Sequence, residues 1–147
     1  MEKKLAIGSD HAGYDLKETL KRYMEEKGFE MEDHGTFSEE STDYPDYAHA
    51  VANSVAEDND VNRGILICGS GNGISMAANK HAGVRAALCW EPEVAILAKQ
   101  HNDANIVSLP ARFITTETAK DIVDAFMDEE FEGGRHQGRV DKIDQGL

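Results

Sequence analysis

The chain has 147 residues, enough for one sizeable core and short for two ordinary domains. Its 28 acidic against 15 basic side chains leave a net charge of -13, which argues against general nucleic-acid or anionic-membrane binding, since both need basic surface. A small anionic ligand remains allowed, because it needs only a few placed arginines.

In chain order, KLAIGS (4–9) reads as a short buried strand. The acidic residues that follow the apolar start argue against a secretory signal. GYDLKETLKRYMEEKG then places Leu16, Leu20, Tyr23 and Met24 on one helical face, with Gly28 as its stop. FEMEDHG is a second strand, the stretch from Thr36 to Pro45 is loop, and DYAHAVANSVAE returns to helical spacing. GILIC is a third strand and GISMAANK a helix. VRAALCW is a fourth strand, PEVAILAKQHN a helix opened by proline, NIVSLP a fifth strand and TTETAKDIVDAFMDEEF a long helix. No apolar run approaches the ~18 residues of a membrane span. The tail from 132 to 147 is too polar to build the same core and is expected to dock as a short segment of the one domain.

Strands alternating with helices at this spacing imply an α/β, Rossmann-like three-layer domain, its five-stranded parallel sheet flanked by helices. Ligands of such a sheet bind beyond the carboxyl ends of its strands. The chemistry-bearing residues follow strand or helix ends: Asp10 and His11, then Cys68 and the loop GSGNG, then His101 and Asn102, then Arg112. Whether they face one pocket depends on a strand order that the sequence does not display.

GSGNG (Gly69 to Gly73) lacks the spacing of a phosphate loop, and the first strand lacks a dinucleotide fingerprint, so no nucleotide cofactor is expected. The glycines permit either a plain turn or a tight one whose backbone N–H groups meet a small anion. Cys68 precedes them: a buried strand cysteine is commonly inert packing, whereas one beside a helix start can exchange a proton. Cys89 lies inside a strand and reads as packing. Both thiols sit in apolar runs, as free cysteines in a reducing compartment do, so a soluble cytoplasmic protein is expected. His34 and His49 read as turn and helix residues, and no His/Asp/Cys cluster has structural-zinc spacing, so no metal is expected.

In GGRHQGR, Arg135 and Arg139 are spaced to share one helical face beside His136. They suit salt bridging to the long helix or a phosphate clamp, with Arg112 as a third positive group. Anion loop, thiol, histidines and arginines together are compatible with proton transfer next to the carbonyl of a phosphorylated sugar.

The motifs GSDHAG, TDYPDYA, ILICGSGNGISMAANK, RAALCW, KQHNDAN and EGGRHQGRV, in this order, closely resemble the ribose-5-phosphate isomerase B family. That family also includes galactose-6-phosphate isomerase subunits and allose-6-phosphate isomerases. The resemblance covers essentially the whole chain. It implies metal-independent interconversion of ribose 5-phosphate and ribulose 5-phosphate, with the six-carbon sugar phosphates, or mere sugar-phosphate binding, as alternatives. It implies a homodimer or homotetramer with shared active sites, and no nucleic-acid or membrane partner. It also implies that Cys68 is the base, Ser70 relays protons between substrate oxygens, and the backbone across Gly69, Gly71, Asn72 and Gly73 holds the enediolate. His101 resembles the ring-opening residue with Asp10 as its partner. His11, Arg112, Arg135 and Arg139 resemble the phosphate set, and Tyr44 and Asn102 the sugar lining. Another branch carries a glutamate just after the glycines and glycine in place of the cysteine. Here Ile74 stands at that place, which leaves the work to Cys68.

Overall fold

The computed structural model describes residues 4–146, so residues 1–3, and residue 147 at the end of the expected docking segment, lie outside it. Its elements are β1 (Lys4–Ser9), a 3-10 turn (His11–Gly13), α1 (Tyr14–Glu26), β2 (Glu30–Asp33), α2 (Tyr44–Glu57), β3 (Val61–Cys68), α3 (Asn72–Ala78), β4 (Ala86–Leu88), α4 (Pro92–Asn102), β5 (Ile106–Pro110), α5 (Thr116–Asp128) and α6 (Arg135–Asp141). The strands form one five-stranded sheet in the order β2-β1-β3-β5-β4, every neighbouring pair parallel.

Strand alternation divides the core into two layers of contact. Leu5, Ile7, Ile65, Ile67, Val107 and Leu109 point to one face, where α1, α4 and α5 pack through Leu20, Met24, Ala95, Ala98, Ile122 and Phe126. Ala6, Leu66, Cys68 and Ile106 point to the other, under Val51, Val55, Ile74 and Ala78 of α2 and α3. The expected three-layer α/β architecture is thus the observed one.

The differences from the sequence reading are local. Helix α2 starts at Tyr44 rather than Asp46, because Pro45 occupies its first turn, where a missing N–H costs nothing. Strand β3 begins at Val61, three residues earlier than the apolar pattern suggests, because Val61 pairs with Lys4 in the sheet. The polar tail forms α6, which buries His136 and Val140, one turn apart, and leaves Arg135 and Arg139 exposed.

The apolar stripe of α1 also contains an unexpected member, Lys17, whose side chain is fully buried. Its Nζ donates to Glu18 Oε2 and Asp33 Oδ2, both at 2.7 Å, and Lys21 reaches the same Asp33 oxygen at 3.1 Å. Burial opposes ionisation of Asp33, but bonds from Lys17, the Gly35 N–H and Lys21 prevail and hold its carboxyl below its ordinary value. Lys17→Met keeps the stem and removes the charge, leaving Asp33 to Lys21 and the Gly35 N–H. The expected cost is about 1–3 kcal/mol in urea unfolding. An unchanged midpoint would mean that Lys21 and the Gly35 N–H satisfy Asp33 without Lys17.

Candidate active site

Strands β1, β3 and β5 are adjacent, so their carboxyl tips are neighbours, and the chain leaves β1 and β3 toward opposite faces between them. That is the switch point at which open parallel sheets leave a crevice. A cleft of about 420 Å³ lies there. Asp10, His11 and Ala12 line it from the β1 tip, Cys68, Gly69, Ser70 and Gly73 from the β3 tip, Arg112 and Phe113 from the β5 tip, and Tyr44 from the start of α2. Another cleft, about 480 Å³, is walled by Glu32, Glu57 and Asp58 beside His34, a surface that repels anions. The two clefts differ in the charge of their walls more than in size: only the one at the strand tips carries an arginine.

Backbone bonds fix the three tips to one another. Ala111 N–H donates to Cys68 O at 2.9 Å, Arg112 N–H to Gly69 O at 3.0 Å and Asp10 N–H to Ile67 O at 3.2 Å. Gly71 caps α3 at φ 79°, a left-handed conformation that glycine takes without strain. At Gly73 a Cβ would stand 2.5 Å from the Tyr44 ring, so that glycine lets the tyrosine close one wall. Asn72 N–H donates to Ser70 Oγ at 3.3 Å, and Ser70 itself is exposed to the cleft.

Cys68 is 5% exposed and lines this cleft from the α2/α3 side of the sheet. Cys89 differs: it is wholly buried in the opposite core layer, and burial pushes its thiol up to about 12, unsuited to proton exchange. His11 is held by Thr42, whose backbone N–H donates to His11 Nδ1 at 3.1 Å, while Thr42 Oγ1 accepts from the His11 N–H at 3.1 Å. A backbone amide can only donate, so Nδ1 carries the lone pair and the neutral ring keeps its proton on Nε2. Asp10 caps the 3-10 turn by accepting from Gly13 N–H at 3.2 Å.

One chain does not bring His101, Asn102, Arg135 or Arg139 to this cleft. Helix α4 runs antiparallel to the strands, and its 11 residues carry the chain back about 16 Å from the carboxyl edge. Asp103, at φ 48°, ends α4, and Ile106 then enters β5 beside Gly64 and Ala86, at the amino edge of the sheet. His101 therefore lies at the far end of the domain from Cys68. There it stacks on His136 of α6, with ring centroids 4.3 Å apart and planes 13° from parallel. Its carboxylate neighbour is Glu132, 3.6 Å from Nε2, rather than Asp10 of the same chain. Burial, then His101 and the two arginines, favour a neutral His136. Among the described residues Arg112, Arg135 and Arg139 make no ion pair, so the salt bridge to the long helix is not formed. In a chain of net charge -13, these guanidiniums stand out at both ends of the domain for having no carboxylate partner among the described residues.

The sequence reading missed Phe113, Thr42 and Glu132, and named His136 only as a neighbour of Arg135 and Arg139. Phe113 follows a named arginine, and no spacing ties Thr42 to His11. Gly133 and Gly134, both at positive φ, turn the chain so that α6 meets α4.

The fold and cleft define a Rossmann-like α/β protein with a cleft carrying His11, Cys68 and Arg112 at its strand tips and a second cationic cluster at the opposite edge. More specifically, the model of the ribose/galactose isomerase family matches residues 5–143, and the chain belongs to that family. Ribose-5-phosphate isomerase B of Escherichia coli K12 is 52% identical over 141 residues, which are 96% of this chain and 94% of that one. Among solved structures, a ribose 5-phosphate isomerase of Thermotoga maritima superposes with a TM-score of 0.95 at 53% identity, covering 99% of each chain. Ribose-5-phosphate isomerase B of Mycoplasma genitalium, solved with bound ribulose-5-phosphate, gives 0.94 at 43% identity, covering 99% of this chain and 97% of that one.

Proposed function

We propose that the chain interconverts ribose 5-phosphate and ribulose 5-phosphate at a site that two copies build together. The observation that carries this reading is the division of the cationic and titratable groups. Cys68, Ser70, His11 and Arg112 meet at one edge of the sheet, and His101, Arg135 and Arg139 gather at the other. A homodimer, alone or paired into a tetramer, completes the site by setting the second cluster of one copy against the cleft of the next.

Each group then has a task. His101 of the second copy moves the proton that opens the furanose ring, near Asp10 of the first. Cys68, as thiolate, takes the C2 proton of the open aldose and returns it to C1. Ser70 passes the hydroxyl proton from O2 to O1. The C2–H bond breaks, the C1–H bond forms, and no outside oxidant or reductant enters. Backbone N–H groups from Gly69 to Gly73 meet the enediolate oxygens, stabilising charge that exists only during reaction. The His11 Nε2–H and Arg112 hold the phosphate from one side, Arg135 and Arg139 from the other, and Tyr44 and Asn102 line the sugar. Support comes from the bound ribulose-5-phosphate of the Mycoplasma genitalium relative. One extra hydroxymethylene separates the six-carbon alternatives and is decided by pocket shape rather than new chemistry.

The test is turnover of ribose 5-phosphate and allose 6-phosphate in parallel by chelator-treated protein. Preferential turnover of ribose 5-phosphate is expected. A strong preference for allose 6-phosphate would keep the proton transfer and move the substrate. Turnover of neither would overturn the reading in favour of galactose 6-phosphate or a sugar-phosphate-binding protein.

A further inference from the structure

The spacing of His101, Glu132 and His136 along the chain matches no structural zinc motif, yet the packing of α6 on α4 gathers their ligand atoms within 4.8 Å of one another. Glu132 Oε1 stands 3.6 Å from His101 Nε2 and 3.9 Å from His136 Nε2. Two imidazoles and a carboxylate form a donor set that catalytic zinc commonly uses, with a fourth position left to water. Bonds of about 2.0–2.1 Å set the ligands of a tetrahedral zinc roughly 3.3 Å apart, so each Glu132 contact has only a few tenths of an ångström to close.

The three residues are also held unequally, as a site that closes on a cation requires. His136 is 7% exposed and anchored in α6. The backbone of Glu132 is tied to α4, its N–H donating to Gln100 O at 3.0 Å, while its side chain is 51% exposed. The side chain of His101 is 37% exposed. Nearly parallel rings cannot aim both lone pairs at one ion, so His101 must swing out of the stack as the ion enters. Arg135 and Arg139 oppose a dication, whereas Glu132 and the chain's net charge of -13 favour it. That balance selects a metal that bonds imidazole strongly over one, such as magnesium, attracted by charge alone.

We propose that His101, Glu132 and His136 form a reversible site for a borderline-soft divalent transition ion such as zinc, and that its occupancy withdraws His101 from ring opening. The ion-binding part stands without the isomerase reading, while the inhibitory part rests on it. The site gives the protein a metal-dependent off state, with the metal acting as inhibitor rather than cofactor.

Cobalt(II) and zinc(II) are titrated separately into chelator-treated full-length protein. Binding is followed by calorimetry and by the visible cobalt bands, and ribose 5-phosphate turnover is measured on the same samples. One ion per chain is expected, with cobalt bands of nitrogen and oxygen ligation, no sulfur charge-transfer band in the near ultraviolet, and inhibition that chelator reverses. His136→Asn and Glu132→Gln should each weaken binding at least tenfold, with metal-free turnover of Glu132→Gln within a few-fold of the parent. Cys68→Ala should bind the ion unchanged. Failure of both ions to bind overturns the site, as does binding that survives His136→Asn and disappears in Cys68→Ala, which would put the metal on the thiol. Binding with undiminished turnover overturns the inhibitory part. Absence of turnover in all metal-free samples would count against the isomerase reading and leave the binding result standing.

Discussion

Cys68→Ala is expected to lower kcat for ribose 5-phosphate by about 10³-fold or more while leaving the fold and the phosphate contacts in place. Removing a general base commonly costs about 10²–10⁴-fold. The upper part of that range applies because the thiol has no evident understudy. Ile74 stands where a related branch places its glutamate, and Cys89 lies in the other core layer with its thiol pushed up to about 12. The structural cost is small. Cys68 packs against α2 and α3 at the very end of β3, and alanine removes one sulfur from the rim of that layer, roughly 1 kcal/mol. The variant should therefore melt within a few degrees of the parent and still bind a phosphorylated open-chain inhibitor. Turnover near the parental rate would remove Cys68 from the mechanism, and loss of inhibitor binding together with turnover would make it a packing residue. Isotope exchange separates these further: in deuterated water the protonated Cys68 thiol exchanges with solvent while the enediolate lasts, so the parent should wash deuterium into C1 of ribulose 5-phosphate, and the variant should not.

Much of the fold follows from periodicity. β1 and α4 run over the residues their patterns indicate, because buried parallel strands are continuous apolar runs and a proline marks the first turn of the helix. The edge strands are shorter than their patterns: β4 holds only Ala86–Leu88, since it pairs on one side with β5 alone. Lys17 was illegible for a different reason. Helical spacing puts it next to the apolar stripe, but its burial depends on Asp33, which β2 delivers through the sheet. Of the candidate site, the strand tips were legible individually and their adjacency was not, because the order β1-β3-β5 is set by long-range pairing. The placement of His101 was within reach of the sequence. A helix that follows a parallel strand must run back toward the amino edge, so a residue at its last turn belongs to the opposite end from the strand tips. Its grouping with Glu132 and His136 was not, since it depends on the turn at Gly133 and Gly134.

The separation of His101 from Cys68 has its sharpest consequence when two damaged subunits are combined. His101→Asn should by itself lower turnover about 10²-fold, the usual scale for losing an acid-base group, and Cys68→Ala should do so more severely. If the site spans two copies, a mixed dimer of these variants contains one site with both lesions and one with neither. The intact site takes its thiol from the His101→Asn subunit and its imidazole from the Cys68→Ala subunit. Random assortment makes half the dimers mixed, with half their sites intact, so co-refolded variants should recover about a quarter of parental turnover. The same fraction holds for a tetramer built as two such dimers. Arg135→Ala in place of His101→Asn should complement Cys68→Ala similarly, because α6 and the end of α4 travel together on one subunit. If His101 instead served the cleft of its own chain, every mixed dimer would carry one lesion per site and activity would stay at the average of the two variants. That outcome would require α4 to leave the sheet, since His101 sits in the last turn of a helix about 16 Å long that runs back from the carboxyl edge. Complementation thus tests the two-copy site through a gain of activity, which neither misfolding nor partial inactivation of a variant can imitate.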